Sequence, residues 1–326
     1  MSGDASAGGP PVAPEGEMGG GAGPIPGARR GRLGSLAPGL FAAIAFGAAT
    51  PAAKVFLEGA SPFAAAGWLY LSSGIALTLV LAVLRPGPGE RVGRRDLPWL
   101  LASVIVGGTA APAAYVVGLA LAPASVTSLL LNLELPFMIA IAVLLYRERL
   151  DRPRLLGAAL VTVGGVLVTV LSLQEGGGGS LVGALWIGAA CLGWALDSNL
   201  VRFLAHRSAL DVARWKGIGG GLAGFALVAL SGAAMPEPSA RFVLGGAAVG
   251  FVAYGLSLAA YVGSVRRLGA ARTGMLFGTA PLFGLLGSAL FLGEPIGLGA
   301  LGPAALMLLG VGLLGMERRP PSETGA

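Results

Sequence analysis

Residues 124–146 are the stretch of this sequence that most restricts what the chain can fold into. The stretch has 23 residues, and its one charged residue is Glu134. A helix of that length rises about 35 Å, enough to cross the roughly 30 Å hydrocarbon core of a bilayer. Asn132 and Pro136 fall near its middle, where a polar side chain or a missing backbone donor needs a compensating partner. We therefore predict a membrane helix with a polar centre.

The whole chain is too poor in charge to be a soluble globule. It has 326 residues, of which 12% are charged and 55% are hydrophobic, whereas soluble domains carry about 25% charged residues. The 56 glycines suit membrane helices, because small side chains let helix backbones approach closely. The composition predicts an all-α integral membrane protein.

Charge and the reactive residue types exclude several classes of function. The net charge of +6 comes mainly from arginines in short turns between apolar stretches, which indicates membrane anchoring and no nucleic-acid partner. A single cysteine, Cys191, excludes an internal disulfide framework and a cysteine metal cluster. A single histidine, His206, argues against a histidine-rich metal site or a Ser-His-Asp triad. We expect no metal and no cofactor.

Ten apolar stretches follow one another, and each is predicted to be a transmembrane helix. They cover residues 35–57, 62–84, 97–121, 124–146, 155–173, 181–203, 209–231, 241–265, 269–292 and 296–315. Residues 1–34 are mostly Gly, Pro, Ala and Ser, which cannot form a packed core, so they are predicted to be a disordered cytoplasmic tail. Residues 316–326 form a second, short cytoplasmic tail.

Arginine and lysine are distributed very unevenly along the chain. Twenty of the 22 basic residues lie in the tails or in and beside the turns after even-numbered stretches, and the exceptions are Lys54 and Arg241. Positively charged loops stay on the cytoplasmic side of a membrane. We therefore expect a multi-pass protein of the cytoplasmic membrane with both termini in the cytoplasm.

The two halves of the chain repeat each other. At an offset of 145 residues Pro136 matches Pro281, and six further pairs match at the same offset: Ser128 with Thr273, Gly118 with Gly263, Gly157 with Gly302, Ala159 with Ala304, Gly165 with Gly310 and Val166 with Val311. The repeats are 35–173, with helices one to five, and 181–315, with helices six to ten. Because five crossings is an odd number, the second half must be inverted relative to the first. Inverted repeats that meet at mid-membrane are typical of alternating-access carriers.

Motifs in both halves resemble the EamA-type carriers of the drug/metabolite transporter superfamily, which have ten helices in two EamA repeats. The first half has GAATPAAKVFL at 47–57 and ASVTSLLLNLELPFMIAIAVLLYRERL from 124, followed by LLGAALVTVGGVL. The second half has CLGWALDSNLVRF at 191–203, the pair Lys216-Gly217, and LGAARTGMLFGTAPLFGLLGSALFLGEP from 268. Two positions depart from the family pattern: Ser198 replaces a frequent Asn, and Pro136 interrupts the NLE segment.

The resemblance implies a secondary transporter, not an enzyme, that moves a small metabolite or drug-like solute by alternating access. The chain has no GxxxxGK[ST] stretch, so transport is expected to be gradient-driven or facilitated, with proton coupling as one option. Its expected partners are the small-molecule substrate and the lipid bilayer. The Gly217 and Gly221 spacing predicts close helix contact, inside a monomer or across a homodimer.

Acids and lysines within the apolar stretches are the first candidates for the transport site, because burying a charge in a bilayer costs about 2.5–3.5 kcal/mol even on insertion scales. Glu134, beside Asn132, is interpreted as a proton carrier or as a permanently paired structural charge. Asp197 and Lys216 are predicted at similar depth, so Asp197 can pair with Lys216 or with Arg202, as a structural lock or a gate. Asn199, two residues on, faces another side of that helix.

The remaining candidates are one lysine, three aromatic residues, three prolines and two helix-end acids. Lys54 is either a residue that reaches the lipid headgroups or an anchor for an anionic substrate. Trp68, Tyr70 and Tyr254 lie deep enough to line a central cavity, which we expect to form from helices one to four and six to nine. Breaks at Pro51, Pro136 and Pro281 are predicted to expose carbonyls and act as flexing points. Glu148 and Glu294 are predicted to be structural groups at helix ends.

Two other classes of function remain open from the sequence. A non-transporting scaffold or partner subunit would have a dry, apolar centre, in contrast to the buried acids and paired prolines found here. A membrane-embedded enzyme acting on lipids would need a cluster of His, Asp or Glu at the membrane surface, and the lone His206 argues against it.

Overall fold

The structure is a computed structural model, and it describes residues 32–56, 58–84, 91–147, 151–174, 180–231, 239–268, 273, 276–294 and 298–314. All regular secondary structure in these ranges is helical. The predicted tail 316–326, nearly all of the tail 1–34, and Glu148 lie outside the described residues.

The first half of the chain forms five helices, which we number α1 to α5. Helix α1 bends at Ala48 between its parts Arg32–Gly47 and Ala49–Phe56, and α2 is Pro62–Leu84. Helix α3 is Arg94–Leu121 and contains a π-helical segment, Val106–Ala110. Helix α4 covers 124–146, with a 3-10 turn at Leu131–Leu133, and α5 is Arg152–Gln174.

The second half forms helices α6 to α10 in the same order. Helix α6 is Leu181–Leu204 and α7 is Ala209–Ser231. Helix α8 covers 241–268 and contains the π-helical segments Arg241–Gly245 and Gly250–Leu256. Helix α9 is Ala280–Leu292 and α10 is Leu298–Leu314.

Seven of these helices are both long enough and apolar enough to cross a membrane: α1 to α6 and α8. Helix α7 has 23 residues, but Asp211, Arg214, Lys216 and its glycines make it less apolar. Helices α9 and α10 have 13 and 17 residues in the part that the structure describes. The chain is therefore a multi-pass membrane protein, and the full number of ten crossings stays a prediction.

The outer surface of the bundle is apolar, as a lipid-facing surface must be. Val83, Leu144, Leu230 and Leu290 each expose at least 78% of their surface. Large exposed aliphatic side chains in such number do not occur on a soluble monomer. The polar and charged side chains that the structure buries, among them Asp197 and Asn132, lie inside the bundle.

Helices at matching positions of the two halves pack against each other in antiparallel directions. On α2 and α7, Gly67 lies next to Gly221 and Gly224, while Gly74, further along α2, lies next to Gly217, nearer the start of α7. A side chain at Gly74 would come within 2.6 Å of the Ile218 backbone nitrogen, so only glycine allows this approach. The small-residue spacing of α7 is thus used within the chain.

The other helix contacts also match between the halves. Helix α5 packs on α10, where Gly157 faces Gly310 and Gly164 faces Met307, so this pair is antiparallel as well. Helix α4 packs on α9. Helix α1 contacts α8 and α9, and its counterpart α6 contacts α3 and α4. These contacts of the first half therefore have equivalents in the second.

Irregularities in the helices recur at nearly equivalent positions of the two repeats. The 3-10 turn Leu131–Leu133 precedes Pro136, and a turn at Gly278 and Thr279 precedes Pro281. The π-helical segments Val106–Ala110 and Gly250–Leu256 occupy equivalent places in α3 and α8. Helices α4 and α9 both end in a left-handed residue, Arg147 at φ 54° and Gly293 at φ 65°.

Candidate functional site

A cavity of about 520 Å³ lies at the centre of the bundle. Its described lining comes from α1, α2, α4 and α6 to α10. The prediction from the sequence was wrong at two helices: α10 contributes Val311, and α3 contributes none of the described lining residues, because its π-helical segment packs behind Asp197 and Lys216. The polar and charged lining residues are Thr50, Tyr70, Ser73, Ser128, Asn132, Glu134, Trp194, Asp197, Ser198, Lys216, Tyr254, Ser257 and Tyr261.

Three prolines interrupt the helical hydrogen bonds of residues in the cavity lining. In an α-helix, residue i donates its N–H to the carbonyl of residue i−4, and proline has no N–H to donate. Pro51, Pro136 and Pro281 therefore remove the usual helical donors to the carbonyls of Gly47, Asn132 and Phe277, and all three of these residues line the cavity. The Asn132 carbonyl accepts from the backbone N–H of Glu134 instead. The prolines thus place helix irregularities at the cavity.

Asp197 and Lys216 form an ion pair in the wall of the cavity. Lys216 Nζ lies 2.6 Å from Asp197 Oδ2, and the hydroxyl of Ser103 donates to the other carboxylate oxygen. The Asp197 side chain is 4% exposed and the Lys216 side chain 21%. Gly107, in the π-helical segment of α3, packs directly on the Asp197 carboxylate, so a Cβ at this position would overlap it. The local helix distortion makes room for the pair.

Glu134 is the second acid of the cavity and has a different environment. The 3-10 turn of α4 ends immediately before it and turns both Asn132 and Glu134 towards the cavity. Its nearest hydrogen-bond partner is the Ser198 hydroxyl at 3.5 Å, and no salt bridge to it is found in the ranges that the structure describes. The amide nitrogen of Asn132 is buried and has no hydrogen-bond partner among the described residues. The turn therefore presents polar groups that are not fully satisfied.

Aromatic rings form a continuous wall of the cavity. Tyr254 contacts Tyr70 with ring centroids 6.2 Å apart and Phe46 at 5.9 Å, and Phe277 contacts Phe46 at 5.1 Å and Tyr261 at 5.0 Å. On the opposite side of Tyr70, the Trp194 indole nitrogen donates to the Tyr70 hydroxyl at 3.0 Å. These bonds and contacts fix the rings around the charged groups.

Lys54 and Glu294 lie away from the cavity lining, at the end of the bundle where α4 begins. Glu294 accepts hydrogen bonds from the backbone nitrogens of Ala124 and Ser125, both at 2.9 Å, and from the Ser125 hydroxyl at 2.7 Å. Lys54 Nζ lies 3.6 Å from Glu294 and donates to the Ala122 carbonyl at 2.6 Å. Glu294 therefore caps α4 and ties it to the ends of α1 and α9.

The ionisation of Glu294 follows from these contacts. Burial by itself would raise the pKa of this carboxyl, but the hydrogen bonds from Ser125 and Ala124 and the charge of Lys54 outweigh it. The pKa of Glu294 is consequently below its ordinary value. The group is held as a carboxylate, the form in which it accepts all of its bonds.

Seven of the site residues predicted from the sequence line the cavity together. They are Asn132, Glu134, Asp197, Lys216, Tyr70, Tyr254 and Pro281. It places Trp68 elsewhere, because the Trp68 indole donates to the Val243 carbonyl and its ring packs on Phe225. The amide of Asn199 donates to the Ala195 carbonyl of its own helix. Pro51 and Pro136 are not among the described lining residues.

Several lining residues were not among the candidates from the sequence: Phe46, Trp194, Ser198, Tyr261 and Phe277. Trp194 and Ser198 lie three residues before and one residue after Asp197, so helical spacing from the acid indicates Trp194 on the same face. Phe46 of α1 and Phe277, which precedes α9, carry no such signal. Among the described residues no group of three His, Cys, Asp or Glu side chains could hold a metal ion.

Comparison with known proteins adds the family. The model of the EamA-like transporter family matches residues 35–170 and again residues 181–316. An uncharacterized transporter of Methanothermobacter thermautotrophicus is 28% identical over 313 residues, which cover 89% of each chain. A solved crystal structure aligns with a TM-score of 0.62 at 20% identity, over 86% of this chain and 97% of the other, which supports the fold. The chain belongs to the EamA-like transporter family and is a membrane transporter.

Proposed function

We propose that this protein is a secondary carrier that moves a small solute across the cytoplasmic membrane by alternating access, with the central cavity as its substrate site. The observation that carries the proposal is the cavity itself, whose described lining holds two acids and one lysine within an apolar bundle and comes from both halves of the chain. Charges in such a place are retained only for function or fixed pairing. A scaffold subunit would need neither the cavity nor its charges.

The packing of the two halves supports the inverted-repeat mechanism. Equivalent helices such as α2 and α7 run antiparallel, as expected if the second half is inserted upside down relative to the first. In inverted-repeat carriers the two halves rock around a central site and expose it to each side in turn. We propose ten crossings, with both termini in the cytoplasm.

The two ends of the cavity differ in how they are closed. A carrier of this kind opens its site to one side of the membrane at a time, so each of its states has one open and one closed end. The lining residues of α7 are confined to 213–217, near its start, and those of α8 to 254–261, towards its end. Both regions lie towards the arginine-rich turns, so we propose that the cavity opens on the cytoplasmic side. At the other end, Lys54, Ser125 and Glu294 join α1, α4 and α9. This cluster, which we call the Glu294 clasp, would keep that end closed.

We assign the residues of the cavity distinct roles. Lys216 and Asp197 neutralise each other and hold α6 against α7, while Glu134 remains to interact with the solute or a coupling proton. No ATP-binding sequence motif is present, so the driving force would be an ion or solute gradient.

Cysteine labelling in membrane vesicles tests alternating access without knowledge of the substrate. Cys191, which is buried, is first replaced by Ala, and Met138 of the cavity lining is replaced by Cys. We expect a membrane-impermeant maleimide to label Met138→Cys both in right-side-out and in inside-out vesicles, because the cavity opens to each side in turn.

The matched control is Leu290→Cys, since Leu290 is 78% exposed on the apolar outer surface. That cysteine should remain unlabelled from either side, because lipid excludes the reagent. Labelling of Met138→Cys from one side only would contradict alternating access.

A further inference from the structure

We infer that the solute carried by this cavity is a small organic cation, namely a protonated amine on an apolar or aromatic body. The inference rests on the proposed carrier function and names its substrate class. It depends on three features of the described cavity: one acid without a paired cation, a continuous aromatic wall, and a lysine that is already paired with the other acid.

The charge balance of the cavity is negative. Its described lining contains two acids, Glu134 and Asp197, and one base, Lys216. Lys216 Nζ is 2.6 Å from Asp197, so that pair is neutral overall. Glu134 has only the Ser198 hydroxyl at 3.5 Å as a partner. Of the charges in the described lining, one carboxylate remains for a ligand, and its natural counter-ion is a cation.

The aromatic wall favours the same ligand. Phe46, Tyr70, Tyr254, Tyr261 and Phe277 follow each other ring to ring at centroid distances of 5.0 to 6.2 Å. The faces of such rings carry negative partial charge and attract an ammonium group, most strongly where water is excluded. The same rings accept the apolar body of the solute. The same ring faces would repel a phosphate or a carboxylate.

An anion or a zwitterion would have to compete with Asp197 for Lys216. Lys216 Nζ is held at a short distance by Asp197, whose other oxygen accepts from Ser103. Releasing Lys216 to a substrate carboxylate would leave the Asp197 carboxylate, which is nearly fully buried, without its cation. The pair therefore selects against a negatively charged group.

Binding to the purified full-length protein in detergent tests the inference independently of transport. Isothermal titration compares four compounds of similar size: phenethylammonium, 3-phenylpropionate, neutral 3-phenylpropanamide and zwitterionic phenylalanine. We expect phenethylammonium to bind at least tenfold more tightly than each of the others. Equal or tighter binding of any other compound, or no binding of phenethylammonium, would overturn the inference.

Two acid-to-amide variants locate the site. Glu134→Gln should weaken phenethylammonium binding at least tenfold, and Glu134→Asp should keep the preference for the cation. Glu58→Gln is the matched control, because Glu58 is 76% exposed outside the cavity and should leave binding unchanged. Unweakened binding by a folded Glu134→Gln protein would overturn the role of Glu134. Vesicle labelling tests the carrier mechanism separately, so failure of one does not imply failure of the other.

Discussion

The two lysines of this chain both pair with acids, but the two ion pairs differ in their burial and in their other hydrogen-bond partners. Lys216 and Asp197 meet at 2.6 Å in the cavity wall, where the acid is 4% exposed. Lys54 and Glu294 lie 3.6 Å apart and are 31% and 18% exposed, and most of the bonds of Glu294 go to the start of α4. The first pair is held by mutual charge in the cavity wall, and the second is held by a helix cap.

This difference determines how well each pair should tolerate the loss of one of its charges. In the cavity, removing either charge leaves the other buried without a partner, and this costs more than the pair itself contributes. In the Glu294 clasp, water and backbone donors can compensate for a lost charge. Removing one charge should therefore destabilise the protein much more at the Lys216 and Asp197 pair than at the Lys54 and Glu294 pair.

Asp197→Asn is expected to have the largest effect. It leaves the charged Lys216 without its acid in the mostly buried cavity wall, which should destabilise the protein by about 3 kcal/mol and abolish transport. Thermal unfolding of the purified protein in detergent measures the stability, and uptake into proteoliposomes measures transport.

The double variant with Asp197→Asn and Lys216→Met is its control. Removing both charges should restore most of the lost stability, because no unpaired ion remains, while transport stays impaired. If the single and double variants were equally unstable, the burial argument for this pair would be wrong.

Gly107→Ala should have the next largest effect, because it acts on the same pair through the backbone. The added methyl group would overlap the Asp197 carboxylate and force it away from Lys216 or Ser103. We expect a loss of about 1–3 kcal/mol, as for other overpacking substitutions in a tight interior. Gly312→Ala on α10 is the matched control, since a Cβ there meets nothing within 4 Å. Similar unfolding temperatures for the two variants would contradict the close packing of Gly107.

The sequence predicts the charged centre of this site better than its walls. Because burying a charge in a membrane is costly, Glu134 and Asp197 are candidate site residues whichever side of the helix they face. The similar predicted depth of Asp197 and Lys216 in the membrane makes their pairing predictable as well. The structure confirms that pair at 2.6 Å. The repeat also predicts matching helix breaks, because Pro136 and Pro281 lack the same backbone donor.

The walls could not be predicted because these helices are apolar on every side. Trp68 and Tyr70 are equally deep and two residues apart, so at most one of them can face the cavity, and periodicity cannot decide which. Only Tyr70 lines it, while Trp68 donates to the Val243 carbonyl of α8. The partner of Lys54 could not be predicted either, because Glu294 is 240 residues away in the sequence.

Glu294→Gln should have the smallest effect of the three substitutions. It removes the charge next to Lys54 but keeps an acceptor oxygen near the start of α4, so we expect a loss of about 1 kcal/mol at pH 7. The pKa of Glu294 is lowered in the folded protein. Its contribution is therefore fully present above the ordinary glutamate pKa of about 4.3 and is lost as the pH falls through the lower, folded value.

The difference in stability between wild type and Glu294→Gln should accordingly shrink as the pH is lowered from 7 to 3. Taking this difference cancels the titration of all other groups, which both proteins share. Lys54→Met separates the two parts of the Glu294 clasp, because it removes the cation and leaves the bonds to Ala124 and Ser125 intact. If Lys54→Met were as destabilising as Asp197→Asn, the two ion pairs would not differ in the way described: Glu294 would depend on its cation as much as Lys216 depends on Asp197. A much smaller loss, weakened further by salt, is what an accessible pair predicts.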